Sequence, residues 1–384
     1  MNERVRFISR LLEGETLSVL CREFGISRKT GYKFLNRYSS SGVNGLLDQA
    51  RIAKTLPHKT ASEVERLIFK ARELKPHWGP KKLKNRLEGM YPKLKIPAES
   101  TIAEILKRNG YIQVKRRRRG HNYYPTELSQ SKGPNDVWSV DFKGQFPLKN
   151  KLLCYPLTIS DHFSRYLITC EALPDTKSGA VFEAFECAFR EHGMPKIIRS
   201  DNGTPFASSG LGGLSRLNAW FIRLGIRPER IEPGHPEQNG RHERIHLTMQ
   251  KEVVRPASDN MLQQQERLDK FRDEYNIERP HEALKMKKPA ELYYPSTTPY
   301  PQQLKDPEYE LHDLIRRVKP DGRITLPGER RCYITRALRG QKVGLRTLEK
   351  NIWQLHYCEL ELGYIDARTT PHVVIDNPME PNET

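Results

Sequence analysis

From about Pro134 the chain changes its period, and that change limits its fold more than any other feature of the sequence. Residues 137–142, 152–159 and 166–170 read as three consecutive strands. A helix at 176–192, a short apolar strand at 197–198, a helix at 214–224, a strand at 227–231 and a helix at 241–254 follow. Strands in succession and then helices alternating with strands predict a mixed sheet covered by helices on its faces, an α/β core. Another amphipathic helix is expected at 261–275. Beyond Pro295, short segments at 323–326, 332–335, 342–345 and 352–357 alternate with turns, which predicts a small all-β barrel.

Ahead of this core the texture is helical. Val5, Phe7, Ile8, Leu11 and Leu12 recur at helical spacing, and Leu17, Val19, Leu20 and Phe24 form a second apolar face that stops at Gly25. Ser27 is placed to cap a third helix over residues 28–38. Helix, glycine turn and helix make a helix-turn-helix, in which Ser27, Arg28, Lys29, Thr30 and Lys33 would face base edges and phosphates of the major groove. A second helical unit runs through 60–74 and, after His77-Trp78-Gly79-Pro80, through 81–87 with Lys81, Lys82, Lys84 and Arg86. Ser100 is expected to cap a helix at 101–109, which suits a second helix-turn-helix or winged-helix module. The run Lys115, Arg116, Arg117, Arg118 and Arg119 reads as a basic linker laid along phosphates. The expected boundaries are 1–55 and 56–114 for the two helical modules, 115–133 for the linker, 134–298 for the α/β core and 299–384 for the barrel and tail.

Charge supports this division. Of the formal net charge of +18, residues 1–120 carry +17 and residues 121–384 only +1. Such asymmetry points to a polyanion, because each neutralised phosphate releases counterions. No window approaches the roughly 18 uncharged apolar residues of a membrane helix, and the charged first ten residues lead into no apolar signal segment. The six cysteines form no CxxC pair, so neither a disulfide framework nor a cysteine zinc site is expected, and a reducing cytoplasm is the expected setting.

Three acids stand where strands end or a helix begins. Asp141 lies in Trp138-Ser139-Val140-Asp141-Phe142; Asp201 follows the strand at 197–198 and opens Asp201-Asn202-Gly203; Glu243 lies in Asn239-Gly240-Arg241-His242-Glu243-Arg244-Ile245-His246. The carboxyl edge of an open α/β sheet is where ligands are bound. Asp161, at a strand turn, competes for the first position, but turn chemistry explains it. Trp138 is expected in the core.

These blocks, in this order, together with Tyr275-Asn276 and Arg279-Pro280-His281 downstream, resemble the catalytic core of bacterial insertion-sequence transposases of the retroviral-integrase (DDE) superfamily. The likeness is firm over about 134–295, less so over the helical front and weakest over the tail. It implies a ribonuclease-H-like core that cuts and joins double-stranded DNA with two Mg2+ ions, Mn2+ being a possible substitute, inside a homo-oligomer assembled on paired element ends in the bacterial nucleoid. Asp141, Asp201 and Glu243 are implied as catalytic and metal-binding, Asp141 bridging the ions. Hard divalent cations take oxygen ligands, and a pair of them stabilises both the entering and leaving oxygens of an in-line displacement.

Two readings of the third acid stay open. Glu237 leaves 35 residues after Asp201, the spacing for which the family is often named; Glu243 leaves 41 but follows Gly240 by three positions, as the family's glutamate does. Glu243 is favoured. Arg241 and Arg244 are placed to touch phosphates, and Asn202, His235, Asn239, Gly240 and His246 to support the site. The function expected is a transposase that binds terminal inverted repeats, exposes 3′-hydroxyl ends and joins them to a target. A DNA-binding regulator with a silent core, and a metal nuclease that does not join, are the alternatives.

Overall fold

The computed structural model describes residues 2–48, 60–112, 128–208, 210–232, 235–368 and 374–375. The basic run 115–119 lies outside the described residues. The chain divides into two compact units, Met1–Ala61 and Ser62–Thr384.

The first unit packs three helices, α1 (Asn2–Leu12), α2 (Leu17–Glu23) and α3 (Arg28–Ser41), around Phe7, Ile8, Leu20, Cys21 and Leu46. Ser27 caps α3, its hydroxyl accepting from the Thr30 amide at 3.2 Å. Helix α3 runs three residues past its expected end. Close approach of α2 to α3 requires glycine at position 31, where a Cβ would lie 2.6 Å from Cys21 Sγ.

The second unit begins with α4 (Ser62–Leu74), α5 (Pro80–Met90) and α6 (Glu99–Arg108), which enclose Ile68, Trp78, Leu83, Leu87, Ile102, Ile105 and Leu106. Pro80 is the first residue of α5, where its missing N–H costs nothing. Ser100 does not cap α6. That helix starts two residues earlier than expected, at Glu99, whose carboxylate suits the positive end of the helix dipole, and Ala98 takes the cap position.

The mixed sheet follows. Strand β1 (Val137–Phe142) pairs antiparallel with β3 (Leu153–Asp161) and parallel with β5 (Ile197–Ser200). Outside these lie β4 (Leu167–Leu173), antiparallel to β3, and β6 (Arg227–Arg230), parallel to β5. The short β2 (Phe146–Pro147) pairs with the start of β3. Alternation along β1 sends Trp138 and Val140 into a core with Phe185, Phe189 and Phe221 from α7 (Ser178–His192) and α8 (Arg216–Arg223). A second core holds Leu167 and Cys170 of β4 against Ile245 and Met249 of α9 (Gly240–Met249) and Leu268 and Phe271 of α10 (Met261–Asp273). The result is a three-layered core, the mixed sheet covered by helices that the period of the sequence predicts, in the ribonuclease-H-like form that the resemblance implies. Asn276, in the π turn Glu274–Glu278 that ends α10, closes this layer: its side chain accepts from the Leu167 amide and donates to the Leu167 carbonyl.

The C-terminal part is all-β. Strands β7 (Leu314–Arg317), β10 (Lys342–Glu349), β11 (Ile352–Tyr357), β12 (Leu360–Asp366) and β13 (Val374–Ile375) form an antiparallel sheet in the order β13-β12-β11-β10-β7, and β8 (Arg323–Thr325) with β9 (Arg331–Tyr333) forms a ribbon. Sheet and ribbon share a core containing Ile324, Cys332, Val343, Leu345, Leu355 and Ile365. Leu214 and Ala219 join that core, and Tyr357 donates to the Ala219 carbonyl, so the β domain is seated on α8. All six cysteines are free thiols.

Candidate active site and nucleic-acid interface

Parallel pairing of β1 with β5 sets the first two acids side by side. The register runs Val137↔Ile197, Trp138↔Ile198 and Ser139↔Arg199. Two residues further on, at the carboxyl ends of both strands, come Asp141 and Asp201, on strands that neighbour each other at about 4.8 Å. Glu243 arrives on the first turn of α9, which packs across the same sheet face. Asp141 is half-buried and Glu243 exposed. Burial first, and the negative charges of Asp201 and Glu243 next, push the Asp141 carboxyl up to about 7. The charges of Asp201 and Glu243 thus reach Asp141. Among the described residues, no three His, Cys, Asp or Glu side chains are gathered tightly enough to chelate one ion as they stand. The donor set itself, all carboxylate oxygen with unbalanced negative charge, suits a hard divalent cation.

Local structure holds each acid. Asp201 Oδ1 accepts from the Gly203 amide at 3.1 Å, and a Cβ at residue 203 would press to 3.0 Å from Asp201 Oδ2, so glycine lets the carboxylate lie over its backbone. Asn202 turns away, donating to the Ile231 carbonyl at 2.7 Å, and so ties the loop to the segment after β6. Asn239, buried just before α9, donates to Asp141 Oδ2 at 3.1 Å. Gly240 opens α9. His235 is exposed, 3.7 Å from Glu232. Asp161 is fully buried and accepts from the Asn135 amide and from the amide and hydroxyl of Ser164, a structural turn. Glu237 lies in the 3₁₀ turn Pro236–Asn239; its side chain is outside what the structure describes.

Under Asp141 lies a polar cluster that the sequence reading only half anticipated. Thr158 faces Asp141 across the β1–β3 pair. Its Oγ1 lies 3.1 Å from the Asp141 carbonyl oxygen, 2.6 Å from His242 Nε2 and 2.9 Å from His246 Nε2. His242 also meets Ser160 Oγ at 3.3 Å. Burial pushes His242 down to about 4 and, with His242 beside it, His246 to about 2. At 3.8 Å, His246 Nδ1 and Asp141 Oδ2 make no hydrogen bond. The i, i+4 spacing of His242 and His246 on one helix face was the signal for this cluster; Thr158 carried none without the register.

The cations expected on DNA fall into two groups. Arg28, Lys29 and Lys33 are exposed on α3, and Lys29, Tyr32, Lys33, Asn36, Arg37 and Ser40 line one shallow groove along it. Arg241 and Arg244 are exposed at the rim of the acidic site, and Arg241 donates to the His162 carbonyl at 2.9 Å. On α5 the picture differs. Lys81 is 2.7 Å from Glu282, Arg86 is 3.0 Å from Glu278, and Lys84 is 3.6 Å from Glu88. Lys82 is half-buried, and that burial lowers it to about 8. Trp78 sits among Lys75, Arg86 and Arg279, whose charges lie 5.6, 5.6 and 5.9 Å from its ring.

Comparison with known proteins agrees with this layout. Two models described as integrase core domain match residues 131–236 and 224–289. A helix-turn-helix domain matches 3–54 and a homeodomain-like domain 30–106. The chain thus carries an integrase core behind helix-turn-helix DNA-binding domains. It resembles three proteins from bacterial mobile elements. It is 28% identical over 182 residues to the insertion element IS407 uncharacterized 31.7 kDa protein of Burkholderia multivorans, covering 47% of this chain and 63% of that one. The insertion element IS476 uncharacterized 39.2 kDa protein of Xanthomonas euvesicatoria is 24% identical, with 73% and 79% covered. The transposase for transposon Tn552 of Staphylococcus aureus is 22% identical, with 62% and 53% covered. The chain thus spans less than two thirds of two of these three relatives. Among the described residues no helix is long and apolar enough to cross a membrane.

Proposed function

We propose that the chain is a DNA transposase that binds the terminal inverted repeats of an insertion sequence, exposes their 3′-hydroxyl ends by phosphodiester hydrolysis and joins those ends to target DNA. The observation that supports this reading is that Asp141 and Asp201 end neighbouring parallel strands, with Glu243 on the first turn of α9, and that burial, followed by the charges of Asp201 and Glu243, raises Asp141 to about 7. These three carboxylates would hold two Mg2+ or Mn2+ ions, which, when bound, supply charge stabilisation for the entering and leaving oxygens. The chain's own groups then have definite work. Asn239 fixes the Asp141 carboxylate, Gly203 and its amide hold Asp201, and Arg241 and Arg244 flank the site with positive charge for the phosphate backbone. Arg28, Lys29 and Lys33 bring the element end through α3. Paired ends call for at least two protomers.

The alternatives are a DNA-binding regulator with a silent core and a metal nuclease that does not join. Incubating the purified chain with Mg2+ and DNA bearing the element's own terminal repeats separates the readings. A transposase yields nicked ends and then joined products. A regulator binds without cutting, and a nuclease cuts without joining; either outcome rejects the proposal.

A further inference from the structure

The second helical module keeps an apolar core of its own. Every side chain in that core, from Val64 through Trp78 and Leu83 to Ile112, comes from the module itself. Charge ties the module to the α/β core. Lys75 Nζ lies 2.6 Å from Glu274 and 3.2 Å from Glu278, Arg86 Nη1 lies 3.0 Å from Glu278, and Lys81 Nζ lies 2.7 Å from Glu282. Arg279, itself 2.7 Å from Glu252, adds a contact 5.9 Å from the Trp78 ring. The glutamates recur at every fourth position, 274 and 278 in the π turn that ends α10 and 282 at the head of the next 3₁₀ turn.

These glutamates cover the cations they meet. Lys75 and Arg86 keep only 13% and 23% of their side-chain surface, so neither can take a phosphate while its glutamate is in place. Carboxylate and phosphate oxygens draw the same charged donors at the same distances, so one anion excludes the other. The row is most open at the Lys81 end, where Lys81 and Glu282 retain 40% and 72%. Ion pairs as exposed as these are individually weak and are screened by salt, which makes the contact reversible.

We propose that the row is an internal phosphate mimic. In the DNA-free chain Glu274, Glu278 and Glu282 occupy the cations of the second module, and a DNA backbone displaces them when that module binds. The inference rests on the chain binding DNA, and on neither the cutting nor the joining step.

Zero-length cross-linking of the full chain with a water-soluble carbodiimide reads the contact directly, because it condenses a lysine amine only with a carboxylate that it touches. Peptide mapping should find Lys75 joined to Glu274 or Glu278, and Lys81 to Glu282, in the free chain. Saturating element-end duplex should remove most of both products. The Lys196–Asp136 pair, 2.8 Å apart ahead of β5 and β1, is the internal control and should keep its cross-link. The second readout is affinity. Glu274→Gln, Glu278→Gln and Glu282→Gln combined should bind the duplex about tenfold more tightly at low salt, with the gain shrinking as salt rises. Glu183→Gln, Glu308→Gln and Glu310→Gln combined change the net charge equally at exposed positions on α7 and ahead of β7, and should gain less. No cross-link in the free chain, cross-links that persist with DNA bound, or a triple variant no tighter than its charge-matched control would overturn the inference. A chain that binds no duplex at all would sink the DNA-binding reading as well, which separates the two failures.

Discussion

The two helical modules have similar basic sequences, yet their charges meet different partners. At the start of α3 in the first module, Arg28, Lys29 and Lys33 stand exposed, the two lysines along a groove. On and before α5 in the second, Lys81 meets Glu282, Arg86 meets Glu278, and Lys75 lies 2.6 Å from Glu274 and 3.2 Å from Glu278. Those three glutamates recur every four residues through the π turn after α10 and the loop beyond it. They present to the second module a row of anions of the kind that a phosphate backbone would offer. A basic run in sequence thus identifies cations without saying which anion they meet; the tertiary contact decides.

The largest effect that sharpens the contrast is on stability. Trp78→Ala removes a side chain that is 2% exposed and should cost about 3–5 kcal/mol, whereas Tyr32→Ala, at 56% exposure on α3, should stay within about 0.5 kcal/mol in thermal unfolding. Next is DNA affinity. Replacing Lys29 and Lys33 together by Ala should weaken end binding by at least about tenfold and lower the salt slope by about 0.9 for each lost phosphate contact. Lys81→Ala should change both far less. Equal losses from the two modules in a salt-titrated binding assay would erase the distinction. A smaller effect is expected from Glu278→Gln. Its ion pairs are partly exposed, so stability should fall by no more than about 1 kcal/mol, and DNA binding should rise as Lys75 and Arg86 are released. Weaker DNA binding would contradict the idea that the glutamates compete with phosphate.

The smallest effect is a pH dependence. Burial lowers Lys82 to about 8 from an ordinary 10.5. Between those values the unfolded chain holds a proton that the folded chain has released, so stability rises with pH across that window. Lys82→Met should therefore raise Tm slightly at pH 7, with the gain fading as the pH approaches 10.5. A gain that persists there would point to packing in place of charge.

Much of this was legible without coordinates because period and spacing are local. Strand-like runs placed β1 and β3, and Ser27 marked the start of α3. Asp161 read correctly as a turn residue. Where tertiary register decides, the sequence was mute. Thr158 becomes a site residue only because β3 runs antiparallel to β1 with residue 158 opposite 141. The pairing of Lys81 and Arg86 with glutamates about 200 positions away has no local signature. Strands β7 and β12 were missed: β7 is short and charged, and β12 is interrupted by Gly363, so neither shows a clean alternation. Ser100 misled because a good capping residue can also sit inside a first turn, here behind Ala98, whose extended backbone takes the cap position.

The central claim is that Asp141, Asp201 and Glu243 act together on a phosphodiester. It is tested most directly by measuring strand transfer of element-end DNA with Asp141→Asn, Asp201→Asn, Glu243→Gln and Glu237→Gln, each checked for normal end binding. A divalent site contributes several kcal/mol, and each 1.4 kcal/mol is tenfold in rate, so the first three should fall by about a thousandfold or more. Glu237→Gln should join ends as the wild type does. Wild-type joining by any of the first three, or a collapse confined to Glu237→Gln, would contradict the assignment.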